Sequence, residues 1–253
     1  YVKDKYDITF NPDGMVITLH RLGFSYKKTK KIPAKANVED QKEFVEKYKE
    51  LKDNLGDTEK IYFMDGVHPT HNVLPSYVWI KKGKDKEIKS NTGRQRININ
   101  GVYSPQDHEV IYREDDRINS LSTIELLKSI ELKHPELTKF YIIRDNARYY
   151  TADIVKEYIK TSKIEFVPLP SYSPNLNLIE RLWKLFKKKI IYGWSQPSVV
   201  ARLCNRDKYY EKFKHFRMAV FNFFDTCSKK YYMEMDTLLT ENFQLFKTLE
   251  VSK

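Results

Sequence analysis

The chain has 253 residues, 41% of them apolar, and 45 Lys and Arg against 34 Asp and Glu, for a net charge of +11. That length and apolar share allow one large domain or a moderate one with an appendage, and the positive balance fits a polyanionic partner. Cys204 and Cys227 are too few and too far apart for a disulfide framework or a four-thiolate zinc site, no apolar run reaches the roughly 18 residues of a membrane span, and the start YVKDKYDITF lacks a signal-peptide core, so a soluble, intracellular chain in a reducing compartment is expected.

In chain order, NPDGMVITLHRLGF reads first as a short helix. Asn11 caps it, Pro12 takes the first helical position, Asp13 lies in the first turn, and Met15, Val16, Leu19 and Leu22 share one side. Gly23 ends it. Next, SYKKTKKIPAKAN holds Lys27, Lys28, Lys30, Lys31 and Lys35 with no acid among them, which reads either as a linker touching phosphates or as a solvated basic loop. From Val38 to Leu55 the pattern is a polar helix with Phe44, Val45, Tyr48 and Leu51 as its apolar stripe.

After Gly56 the period changes. KIYFMD is a short buried strand ending in Asp65, and RININGVYS and HEVIYRED are two more strands joined by a tight turn at Pro105 to Asp107. A long irregular insertion containing Trp79 separates Asp65 from Gln95. Ser120 to Lys133 is a helix, KFYIIRD a buried strand ending in Asp145, Thr151 to Thr161 a helix and IEFVPLP an edge-like strand. This alternation predicts an α/β layer with parallel pairing. The tail from Asp207 is helical, with Phe213, Phe216, Val220 and Phe224 as one stripe.

Between strand and tail lies LPSYSPNLNLIERLWKLFKKK, Leu169 to Lys189. Asn177 followed three residues later by Glu180 is a helix-start signature, the Asn capping a free N–H and the Glu reaching back to the cap amide. Ile179, Leu182, Trp183, Phe186 and Ile190 then bury one face, with Trp183 a core residue. Yet IYFMD and YIIRD each deliver an aspartate at a strand's carboxyl end, where ligands gather in open α/β sheets. With Glu180 they make three carboxylates, a donor set for hard divalent cations and, with two metals, for in-line phosphoryl displacement. His68 and His71 in HPTH are the alternative, as zinc ligands, but no third ligand stands at a recognisable spacing.

FMDGVHPTHN, RININGVYSP, IIRDNARYY and LPSYSPNLNLIERLWKLFKKK resemble the catalytic signature of bacterial insertion-sequence DDE transposases of the mariner superfamily. The resemblance covers nearly the whole chain, with RLGFSYKKTKKIPAKA similar to the end of the family's DNA-binding region and its linker, and ENFQLF similar to its C-terminal close. It implies an α/β, RNase H-like catalytic domain, a mixed sheet flanked by helices, over residues 57–253. Before it would come the end of a winged helix-turn-helix region at 1–23, then a basic linker and connecting helix at 24–56. It makes Asp65, Asp145 and Glu180 the catalytic, metal-binding triad; the bacterial branch has 34 residues between the last two acids, as do residues 146–179 here.

Also implied are Mg²⁺, with Mn²⁺ able to substitute, and hydrolysis of phosphodiester bonds at transposon ends followed by transfer of the 3′-hydroxyl into target DNA. The partners are then double-stranded DNA, as terminal inverted repeats and target, and a second copy of the chain on that DNA, the insertion from Val67 to Gln95 reaching between subunits. A cytoplasmic, nucleoid-associated bacterial protein without membrane contact follows. Lys27, Lys28, Lys30 and Lys31 of the linker and Lys184, Lys187, Lys188 and Lys189 after Glu180 are the DNA-contact candidates. Two departures stand out: Gly66 occupies the place where eukaryotic relatives often have Glu, and the family carries a fuller DNA-binding region upstream of Pro12. The rival reading is a catalytically inactive, transposase-derived DNA-binding protein, against which the presence of all three acids argues. Another RNase H-like nuclease, such as a junction resolvase, would lack YSPNLNLIE.

If the linker lysines touch phosphates, each contact removed should flatten the dependence of log affinity on log salt by about 0.9. DNA binding measured across a salt series should therefore show a shallower slope when Lys27, Lys28, Lys30, Lys31 and Lys35 are all replaced by Ala, and an unchanged slope returns the stretch to a solvated loop.

Overall fold

Ile61, Tyr62, Phe63 and Met64 are all buried, and an unbroken apolar run of this kind belongs to a strand covered on both faces. That strand, β1 (Glu59–Val67), is the centre of the fold. The structure, a computed structural model, describes residues 2–26, 37–71, 80–85, 87, 93, 95–191 and 210–245. It divides into two units, Tyr1–Ala34 and Lys35–Lys253.

In the first unit, α1 (Val2–Tyr6) precedes α2 (Pro12–Arg21). The expected start is present: the Asn11 Oδ1 accepts the Gly14 N–H at 2.6 Å and Pro12 opens the helix. Gly23 closes it with φ of +84°, a left-handed value that costs glycine nothing. The expected stripe is present but uncovered, since Val16, Leu19 and Leu22 are exposed. The basic stretch that follows, with Lys27, Lys28, Lys30, Lys31 and Lys35, lies outside the described residues, as do Trp79, Cys204 and most of the insertion before Gln95.

The second unit opens with α3 (Val38–Asp53), started by Asn37, whose side chain accepts the Glu39 N–H at 3.0 Å. Its buried residues are Gln41, Phe44 and Tyr48. Five strands follow: β1, β2 (Ile99–Tyr103), β3 (Val110–Glu114), β4 (Lys139–Arg144) and β5 (Ile164–Pro168). Their spatial order is β3-β2-β1-β4-β5. β1 and β3 run antiparallel to β2, while β1, β4 and β5 are mutually parallel. This is the mixed sheet expected, with IEFVPLP at its edge, where Pro168 costs no ladder bond.

Helices α4 (Ser120–Lys133) and α5 (Asp153–Lys160) serve the two parallel crossovers. On the other side are α6 (Ile179–Phe186), which continues into a wider π-turn over Lys187–Ile191, then α7 (Phe213–Lys230) and α8 (Tyr232–Leu238). Because strand side chains alternate, β1 sorts its residues between two cores. Tyr62 and Met64 join Leu126, Leu127 and Ile130 of α4. Ile61 and Phe63 join Trp183 and Phe186 of α6, Phe223 and Phe224 of α7, and Phe44 and Tyr48 of α3. The tail helix begins at Phe213, and Phe216, Val220 and Phe224 of its expected stripe are buried.

No helix among the described residues is long and apolar enough to cross a membrane. Phe186 is fully buried, 4.9 Å from the Phe224 ring centre and 5.4 Å from that of Phe223. Phe186→Ala should cost roughly 3–5 kcal/mol by leaving a cavity beneath α6, to be read from urea unfolding; a loss below about 1 kcal/mol would mean that this face is not packed as described.

Candidate active site

The site is built by strand alternation and register. β1 and β4 pair in parallel with Phe63 opposite Ile143 and Met64 opposite Arg144, so the next residues, Asp65 and Asp145, come side by side where that ladder ends. Alternation puts Asp65 on the face of Ile61 and Phe63, and Asp145 on the face of Ile143; all three apolar residues belong to the core beneath α6. Both acids are therefore aimed at the side that carries Glu180. Asp65, Asp145 and Glu180 line one cleft of about 430 Å³, with Asn146, Ala147, the segment from Leu169 to Pro174, and Asn177 completing its wall.

Asp65 is not the last residue of its strand, as the sequence implied. The parallel ladder with β4 stops at Met64, but the antiparallel ladder with β2 continues through Asp65 opposite Gly101 to Val67 opposite Ile99. Asp65 thus keeps a fully paired backbone on one side while its other neighbour strand turns away. Gly66 fits the same economy: a Cβ there would stand 2.6 Å from Ile118 Cδ1.

The capping reading of Asn177 is corrected. A short 3-10 turn over Pro174–Leu176 leads into α6, whose start at Leu178 has no side-chain cap. Asn177 keeps the extended backbone of a cap residue, but its Nδ2 donates to the Met64 carbonyl at 3.2 Å, tying the head of α6 to the strand residue before Asp65. A tertiary acceptor has displaced the local one. Among the described residues, the Oδ1 of this buried side chain has no partner.

Burial, with the charges of Glu180 and Asp145 adding to it, pushes the Asp65 carboxyl up to about 7, against the N–H groups of Gly66 and Trp183, which favour its anion. The Trp183 Nε1–H donates to Asp65 Oδ2 at 2.9 Å. Asp145 is exposed, its Oδ1 accepting the Ala147 N–H at 3.0 Å, and Asn146 Nδ2 donates to the Leu169 carbonyl at 3.0 Å, fastening one cleft wall. No Lys, Arg or His among the described residues forms an ion pair with any of the three acids. An all-oxygen donor set whose carboxylates are not taken up in ion pairs suits a hard divalent cation. Among the described residues, no group of three or more His, Cys, Asp or Glu side chains is already arranged to hold an ion; mutual repulsion of three anions favours such an open site.

The zinc alternative is not supported by the histidines. His68 Nδ1 meets Asn98 Oδ1 at 2.8 Å, while His71 is buried with its Nε2 2.6 Å from the Tyr210 carbonyl. The two are committed to different partners.

Of the cations after Glu180, Lys184 and Lys188 are exposed and Lys187 is half-buried, and no ion pair joins Glu180 to Lys184. Lys189 does not belong with them: it packs inward on Glu234 at 2.7 Å and over the Tyr231 ring. Helical spacing accounts for this, because Lys189 follows buried Leu182, Leu185 and Phe186 at the i+7, i+4 and i+3 positions of the packed face. Arg181 is structural, donating to the Thr240 and Asn242 carbonyls. The site residue missed by sequence reasoning is Trp183, whose helical spacing marks it correctly as core but cannot show that its N–H reaches Asp65.

Residues 60–199 match the family model of the DDE superfamily endonucleases, and residues 1–48 match that of a winged helix-turn helix. The Tc3 transposase of Caenorhabditis elegans is 27% identical over 132 residues, 49% of this chain and 40% of the Tc3 protein; the aligned part is less than half the length of that relative. Among solved structures, the Mos1 mariner paired-end complex with Mn matches with a TM-score of 0.61 at 14% identity, over 97% of this chain and 78% of that one. The catalytic domain of Mos1 transposase matches at 0.51 and 15%, over 83% and 93%. The likeness to the paired-end complex takes in residues of both units.

Metal-free protein should lose stability as pH rises. With a carboxyl of 3.8 in the unfolded chain and about 7 in the folded one, the native state holds the extra proton through that window, so stability falls from its lower to its upper limit. Asp65→Asn, which cannot ionise, should remove most of that fall in urea unfolding across the window; parallel curves for the two proteins would contradict the assignment.

Proposed function

The chain belongs to the DDE superfamily endonucleases, and on that premise we propose that it is a DNA transposase, cutting phosphodiester bonds at transposon ends and joining the freed 3′-hydroxyl to target DNA. The observation that carries the reading is the convergence of Asp65, Asp145 and Glu180 on one cleft. Asp65 and Asp145 would hold Mg²⁺, or Mn²⁺ in its place, with Glu180 completing the ligand set. Bound there, divalent cations activate a water or a 3′-hydroxyl and offset the charge gathered on the reacting phosphate.

The rest falls to the chain's own residues. To hold a cation Asp65 would have to be ionised, so metal affinity should rise with pH up to about 7. The Ala147 N–H fixes Asp145, and the Asn177 amide fixes the head of α6 against β1, so the third acid is carried by an anchored helix. Lys184, Lys187 and Lys188 follow Glu180 within the next turns of α6 and its π-turn, where they would meet DNA phosphates. The linker lysines and the winged helix-turn-helix match at residues 1–48 are the reading's means of holding the terminal inverted repeats. Assembly as a homodimer on that DNA belongs to the same proposal.

Separation of chemistry from binding tests it. Asp145→Ala should abolish Mg²⁺-dependent nicking of DNA carrying the element's terminal repeats, while DNA affinity stays within a few-fold, because phosphate contacts rather than the acids supply it. Nicking that survives in this variant would exclude Asp145 as a catalytic ligand.

A further inference from the structure

A buried indole N–H needs an acceptor. Trp183 is 2% exposed, its ring set edge-on to Phe224 at 5.6 Å and 88°, and its N–H is given to Asp65 Oδ2 at 2.9 Å. A hydrogen bond to a carboxylate is stronger than one between neutral groups. It also acts on a torsion that is otherwise broad and nearly two-fold, so engaging Oδ2 fixes how the carboxylate is turned.

Gly101 is a second, separate observation. It pairs with Asp65 across β1 and β2, and a Cβ at this position would stand 3.1 Å from Trp183 Cη2 and 3.4 Å from the Ile111 carbonyl. Glycine inside a paired strand weakens it and marks a close approach. Here the approaching group is the indole that reaches Asp65.

We propose that Trp183 is a positioning residue for Asp65, orienting its carboxylate toward the divalent cation that the cleft binds, with Gly101 as the notch that seats the ring. The inference rests on the metal-binding reading of the triad. It extends that reading to a residue that touches neither metal nor DNA and acts only through Asp65.

The chain has three tryptophans, Trp79, Trp183 and Trp194, so a ¹⁵N-labelled sample gives few indole signals, and Trp183→Phe identifies the relevant one. The Trp183 N–H signal should move as Mg²⁺ is titrated into the full chain. Trp183→Phe, which keeps a ring against Phe224 but has no donor, should weaken Mn²⁺ binding by roughly 10- to 100-fold, the usual effect of removing a group that orients a metal ligand. Gly101→Ala should weaken it less, in the same direction. A Trp183 signal unmoved at saturating Mg²⁺, or Mn²⁺ affinity unchanged in a folded Trp183→Phe protein, would overturn the inference; should that variant not fold, the wild-type signal decides. A wild-type chain that binds no Mn²⁺, or binds it equally well after Asp145→Asn, would overturn the metal reading itself and this inference with it. Loss of binding in Asp145→Asn with intact binding in Trp183→Phe would remove only the role of Trp183.

Discussion

The parallel pairing of β1 with β4 is the constraint on which the site depends. Setting Phe63 opposite Ile143 puts Asp65 beside Asp145, and a slip of one residue would send one acid to the opposite face, under α4. The register is held because each strand is committed on both faces. Phe63 and Ile143 belong to the core under α6, and Tyr62, Phe140, Met64 and Ile142 to the core under α4. The acids stand where the apolar run gives out, so the packing that stabilises the fold also aims the carboxylates.

The third acid depends on a different arrangement. Glu180 belongs to a helix, and a helix can shift against a sheet where strands in a ladder cannot. Two hydrogen bonds limit that freedom at this point: Asn177 to the Met64 carbonyl and Trp183 to the Asp65 carboxylate. Both join α6 to adjacent residues of β1. The cost of gathering three anions falls on Asp65, the most desolvated of them, whose proton affinity rises. A site of this kind is open and partly protonated on its own.

Much of this was legible in the sequence, for identifiable reasons. The strands KIYFMD and KFYIIRD, the helix from Ser120 to Lys133 and the edge strand IEFVPLP follow from hydrophobic period and turn residues, which are local signals, and the structure has each of them. The acids stood out because both strands end their apolar runs in Asp. What stayed hidden was long-range. Asn177 has the identity, spacing and backbone of a helix cap, yet its side chain is drawn to a carbonyl 113 residues away in the chain. Trp183 was identifiable as core, but its bond to Asp65 depends on the glycine at 101 that makes room for the ring. The partner that takes Lys189 out of the basic run, Glu234, stands 45 residues further along the chain.

The central claim is that Asp65, Asp145 and Glu180 form one divalent-metal site. Anomalous diffraction from crystals of the full chain grown with Mn²⁺ tests it most directly. A Mn²⁺ peak is expected between the carboxylates of Asp65 and Asp145, with Glu180 drawn toward it. A cleft without Mn²⁺ at saturating concentration, or an ion held by residues other than these acids, would contradict it.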